Sequence, residues 1–117
     1  MILVTGSSGH IGNVLVRQLI EQGKNVRIMT KDGKKPAWLE HLNLDVVQGD
    51  LRDEKAVNNA VEGAEIVFHL AGIISISSFD SKELTEVNVK GTEHVVNACL
   101  KHGVRRLVYT SSVHALP

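Results

Sequence analysis

The chain lacks most of what would place it in a specialised class. It has a single cysteine, Cys99, among 117 residues. No internal disulfide can form, which points to a reducing, cytoplasmic setting. Prolines number two and aromatics 3%, and no Pro- or Ser-rich linker, repeat or low-complexity tract interrupts the chain. Charge of one sign is missing as well. Thirteen basic and thirteen acidic residues are mixed along the chain and cancel, so there is no electrostatic footprint for nucleic acid. No apolar run approaches the ~18 residues of a membrane span. Met1-Ile2-Leu3-Val4 runs into a glycine turn without the basic region of a signal peptide. The histidines show no ligand spacing with Cys99, so no metal site is expected. What is present is 43% hydrophobic residues, enough for one small domain with a packed core, here residues 1–117.

Short apolar runs alternate with amphipathic stretches. Ile2-Leu3-Val4 reads as a strand ending at Thr5-Gly6. From His10 to Gln22 the apolar residues Ile11, Val14, Leu15, Leu19 and Ile20 fall at helical spacing, and Gly23 stops the helix. Val26–Met29 is a second strand and Val46-Val47 a third. Asp53 caps a short helix that runs to Val61. Ile66–Phe68 is a fourth strand, closed by Ala71-Gly72. A serine-rich loop over 73–81 leads to a long helix, Ser81–His102, with Leu84, Val87, Gly91, Val95 and Ala98 along one face. Leu107–Tyr109 is a fifth strand. Continuous rather than alternating apolar strands predict burial on both faces. Strand–helix alternation then predicts an α/β fold, a doubly wound parallel sheet of order 3-2-1-4-5.

Gly6, Gly9 and Gly12 recur at a spacing of three between the first strand and the first helix. Such a turn needs one glycine for tightness, one for backbone approach to a diphosphate, and one for close helix–strand packing. The helix N-terminus attracts the phosphates. A dinucleotide site is therefore expected here.

Five segments in order carry a resemblance: Thr5-Gly6-Ser7-Ser8-Gly9-His10-Ile11-Gly12, Gly49-Asp50-Leu51-Arg52-Asp53, His69-Leu70-Ala71-Gly72, Asn88-Val89-Lys90-Gly91-Thr92 and Tyr109-Thr110-Ser111-Ser112. The sequence resembles the N-terminal part of the extended or atypical short-chain dehydrogenase/reductases, the NAD-dependent epimerase/dehydratase group with a Rossmann-like fold. The resemblance implies that Gly6, Ser8, Gly9, His10, Ile11 and Gly12 hold the pyrophosphate of a nicotinamide dinucleotide. It implies that Asp50 bonds the adenine amino group, helped by the backbone of Leu51. Leu70, Ala71 and Gly72 let the cofactor lie across the fourth strand's end. His69, in the same segment, reads as a satisfied core residue. Asn88 either fastens the long helix to that strand or lines the cofactor site.

Cofactor choice turns on the end of the second strand. An acid there favours NAD. This chain has Met29-Thr30-Lys31, and Lys31 aligns with an arginine of the NADP-preferring reductases. A cation there pairs with the 2′-phosphate, and Thr30 would donate to it. NADP is favoured over NAD; a two-residue shift placing Asp32 on the ribose would reverse this. The resemblance further implies that the fifth strand delivers Ser111 toward the nicotinamide and Ser112 as the catalytic serine that orients a substrate oxygen.

The resemblance also has a gap. The family's general acid/base is a tyrosine followed four residues on by a lysine. The one tyrosine here, Tyr109, is followed at that spacing by Val113. A phenol with pKa ≈ 10 needs a nearby cation to work near neutral pH. The expectation is an inactive fragment, truncated after strand five, of an enzyme acting on a secondary alcohol or ketone. The alternatives are a non-catalytic NADP-sensing regulator and a flavin-reductase-like atypical member. The open edge of strand five and the long helix are expected to promote self-association. Against a helix interface, Lys90, Glu93, His94 and Lys101 suggest a plain solvated face. Trp38, after Pro36, is expected to act as a hydrophobic lid on its loop.

Overall fold

The computed structural model describes residues 1–6, 10–70 and 81–109, with the backbone alone for His10 and for 81–88. Five strands form one sheet in the order expected: β1 (Ile2–Thr5), β2 (Val26–Thr30), β3 (Asp45–Gln48), β4 (Ile66–His69) and β5 (Arg106–Tyr109), arranged β3-β2-β1-β4-β5. Every pairing is parallel. The helices are α1 (His10–Glu21), α2 (Glu54–Val61) and α3 (Ser81–His102).

Alternate residues of the central strands face opposite layers. Leu3 and Val67 join Met29, Val57, Val61, Val95 and Ala98 in the core under α2 and α3. Ile2 and Val4 join Val16, Leu19, Val26, Ile28 and Leu39 in the core under α1. Both faces of β1 are therefore buried along its whole length, which is why its sequence is a continuous apolar run. Asp53 caps α2 as expected, its Oδ1 accepting from Lys55 N at 3.1 Å and Ala56 N at 3.4 Å. Arg27 closes the other end of α2. Its Nη1 donates to the Ala60 and Glu62 carbonyls at 3.1 and 3.0 Å, and its Nε to Asp45 Oδ2 at 2.8 Å.

The structure corrects four expectations. Burial on both faces does not extend to β3 and β5, whose apolar residues are half-buried and whose end residues are exposed. Among the described residues these are the edge strands, each with one neighbour. Strands β2 to β5 also run one or two residues past their apolar cores, because polar residues such as Asp45, Gln48 and Arg106 pair in the ladder. Trp38 is no lid. It lies in a 3-10 turn, Ala37–Leu39, and is exposed, while Leu39 beside it is fully buried. The outer face of α3 is not plainly polar. Lys90, Glu93 and Lys101 are exposed, but so are Val89, Val96 and Leu100, and His94 is half-buried.

Candidate functional site: the carboxyl edge of the sheet

In a parallel sheet all strands end on the same edge. Here β2 and β4 flank β1, so the chain departs in opposite directions on either side of it. The crevice outside the strand ends at such a switch point is where open α/β sheets bind ligands. Two glycine-dependent approaches shape it. Gly6 leaves β1 with φ +78°, and a Cβ there would lie 2.6 Å from the Leu70 carbonyl oxygen. Only glycine tolerates both the dihedral and the contact. Leu70 itself is buried and its N–H donates to the Thr5 carbonyl at 3.2 Å. Gly6 is thus pressed against the end of β4, and α1 begins at His10. The first N–H groups of α1 have no intrahelical partner and no acidic side chain in the first turn. Ile11 is exposed and Gly12 is buried. Ser8 and Gly9 lie outside the described residues.

At the other end of the edge, β2 and β3 deliver Thr30, Lys31 and Asp50 together. Gly49 N donates to the Thr30 carbonyl at 2.9 Å. A Cβ on Gly49 would lie 2.7 Å from both Ala56 Cβ and Met29 Cε, so the strand end is tucked between β2 and α2. Asp50 follows. Its Oδ1 accepts from Arg52 N at 2.9 Å and from Arg52 Nε at 3.2 Å, and its Oδ2 from Arg52 Nη2 at 2.8 Å. Lys31 Nζ lies 3.9 Å from Oδ2. The Arg52 side-chain bonds hold the Asp50 carboxyl below the usual range, against the opposing effect of partial burial. Thr30 Oγ1 is buried and has no hydrogen-bond partner among the described residues. Asp32 is committed locally, its Oδ1 accepting from Lys34 N at 3.0 Å.

Leu51 is held by α3. His94 Nδ1 lies 2.9 Å from the Leu51 carbonyl oxygen and donates to it. A Cβ at Gly91 would lie 2.9 Å from Leu51 Cβ. The sequence reading missed Arg52, Gly91 and His94 as supports of this loop, although Gly91 and Arg52 lie in the segments that carried the resemblance.

Between the two ends sits His69, 1% exposed. Its Nδ1 is 2.7 Å from Thr5 Oγ1 and its Nε2 3.1 Å from Thr92 Oγ1. The Tyr109 ring stacks on it at 5.6 Å. Burial lowers its pKa to about 4, so at neutral pH one ring nitrogen donates and the other accepts. The expectation of a satisfied core histidine is met: the ring ties β1, β4 and α3 together. Of the remaining expected site residues, Ala71, Gly72, Ser111 and Ser112 lie outside the described residues, and Asn88 is described by its backbone in α3.

Residues 3–116 match the model of the 3-beta hydroxysteroid dehydrogenase/isomerase family. The chain belongs to that family. Its N-terminal resemblance to the short-chain dehydrogenase/reductases is thereby borne out. Sterol demethylase protein B of Methylococcus capsulatus is 41% identical over 97% of this chain and 35% of its own length. A putative dihydroflavonol 4-reductase of Synechocystis is 39% identical over 97% of the chain and 33% of its own. A short-chain dehydrogenase/reductase superfamily protein of Agrobacterium tumefaciens, solved with bound NAD, superposes with a TM-score of 0.77 at 36% identity. That match covers 93% of this chain and 31% of the solved one. The chain spans about a third of the length of the curated relatives it matches. No described helix is long and apolar enough to cross a membrane.

Proposed function

We propose that residues 1–117 form the dinucleotide-binding domain of an NAD(P)-dependent oxidoreductase of this family, acting on a secondary alcohol or ketone. The observation that supports the reading is the Gly6–Leu70 approach: only glycine lets the chain leave β1 pressed against the end of β4, at the switch point where open α/β sheets bind a dinucleotide. The pyrophosphate lies against the turn of Gly6, Ser8, Gly9, His10, Ile11 and Gly12, on the free N–H groups of α1. Asp50 accepts from the adenine amino group, with Leu51 beside it. Leu70, Ala71, Gly72, Asn88 and Ser111 line the path toward the nicotinamide. The bound dinucleotide supplies the redox chemistry, and Ser112 holds the substrate oxygen by a hydrogen bond. The similarity to a protein solved with NAD supports the cofactor class.

NADP is the favoured form. Lys31 stands at the end of β2, where a 2′-phosphate would meet a cation. Asp32, which on the ribose would favour NAD, accepts from the Lys34 main chain in its own turn. Calorimetric titration of the full chain with NADP and with NAD tests both claims. NADP binds more tightly, and Lys31→Ala brings the two affinities together, a loss of about tenfold for NADP alone. Equal affinities in the unaltered chain would remove the preference. Binding of neither would remove the domain assignment.

A further inference from the structure

Asp50 carries more donors than an adenine acceptor needs, and they are unevenly shared. Oδ1 receives two bonds from Arg52, at 2.9 and 3.2 Å, which occupy both of its lone pairs. Oδ2 receives one, at 2.8 Å. Lys31 Nζ, at 3.9 Å from Oδ2, is beyond hydrogen-bond reach and adds charge without taking a lone pair. Among the described residues one acceptor site therefore stays open, on Oδ2. The Asp50 and Arg52 side chains are about one-third exposed, so the open site lies within reach of a ligand.

The chelate is local but not a capping device. Asp53 caps α2, and Arg52 spans only two residues to reach Asp50. Its main-chain N–H and its guanidinium grip the same carboxylate, which fixes the carboxyl plane relative to the loop. The planar fork does this where a lysine would supply only a point charge. The loop that presents the plane is itself held from α3 through Leu51.

We infer that Arg52 is a positioning residue for base selection: it saturates Oδ1 and leaves Oδ2 aimed as a single acceptor, which selects a nucleotide base bearing an exocyclic amino donor. The inference rests on the adenine reading of Asp50. A 6-amino group donates to Oδ2; a 6-oxo group in the same place sets oxygen against carboxylate. Selection of adenine over hypoxanthine should then depend on Arg52 although Arg52 does not touch the base. The lowered pKa of Asp50 is in keeping with this, since the group stays an acceptor across the neutral range.

The test uses NADP and nicotinamide hypoxanthine dinucleotide phosphate as paired probes, titrated into the full chain and three variants. The unaltered chain binds the adenine form about tenfold or more tightly than the hypoxanthine form. Asp50→Ala abolishes that ratio. Arg52→Gln lowers the ratio severalfold while leaving affinity for the hypoxanthine form within about twofold, and Arg52→Lys, which keeps the charge, lowers it too. A merely structural role would weaken both probes equally. If Asp50→Ala removes the ratio and both Arg52 variants keep it, positioning by Arg52 is overturned and the adenine reading stands. If Asp50→Ala keeps the ratio, the adenine reading fails and the inference with it. Arg52→Lys serves as the deciding variant should Arg52→Gln not fold.

Discussion

Gly6 and Leu70 approach so closely that a Cβ on Gly6 would stand 2.6 Å from the Leu70 carbonyl oxygen. Backbone on that side cannot yield as a flexible side chain would. The contact joins the end of β1 to the end of β4 across the switch point, beside the proposed pyrophosphate site.

Gly6→Ala should therefore cost both stability and binding. Gly23 provides the comparison. It has φ +77° but nothing within 4 Å of its Cβ position, so Gly23→Ala carries backbone strain alone, about 1 kcal/mol. Gly6→Ala adds the clash and should lose about 2–4 kcal/mol. Urea midpoints of the two variants check this. Equal losses would mean that the carbonyl contact has no energetic weight.

His69 should make stability depend on pH. In the folded chain its pKa is about 4, against 6.5 for the ordinary group. Between those values the unfolded chain binds the proton and the folded chain does not. Stability is then full above pH 6.5, falls as pH drops toward 4, and levels off below that as far as this group is concerned. The whole effect is about 3 kcal/mol. Asp50, whose folded pKa is lowered from 3.8, acts at lower pH and does not share this window. Urea unfolding at pH 7 and pH 4.5 checks the sign. His69→Asn should flatten the difference whatever its own stability, and an unchanged slope would show that His69 is not the source.

Gly91→Ala should affect the site more than the fold. The new Cβ would lie 2.9 Å from Leu51 Cβ, which pushes the loop that bears Asp50. Helix propensity gains about 1 kcal/mol from the same change, and overpacking costs about 1–3. Net stability should shift by about 1 kcal/mol or so, while affinity for the dinucleotide falls about tenfold with the loss of one charge-assisted bond. A variant with unchanged affinity would separate α3 from the adenine end of the site.

Much of this was legible in the sequence. The order of the elements followed from apolar runs, helical spacing and the glycines that end helices, and the sheet order from the handedness of crossovers. The Asp53 cap and the satisfied His69 were read from residue type and place. What stayed hidden depends on approaches in space. Nothing local marks Leu51 as the partner of His94, 43 residues away. The Asp50–Arg52 chelate needs the turn conformation between them, which composition does not set. Leu39 rather than Trp38 fills the core because the 3-10 turn directs one inward and leaves the other outside. Strand ends were missed where polar residues pair in the ladder without contributing to an apolar run.

The glycines themselves offer the most direct test of where the dinucleotide sits. Gly6, Gly12 and Gly49 lie at the carboxyl edge of the sheet, while Gly23, Gly63 and Gly103 lie at the opposite edge, before β2, β4 and β5. Titration of the isotope-labelled chain with NADP, followed by amide NMR, reads both edges at once. The account predicts saturable shifts at Gly6, Gly12, Gly49 and Asp50, with Gly23, Gly63 and Gly103 unmoved. No shift at the first group, or shifts confined to the second, would contradict it.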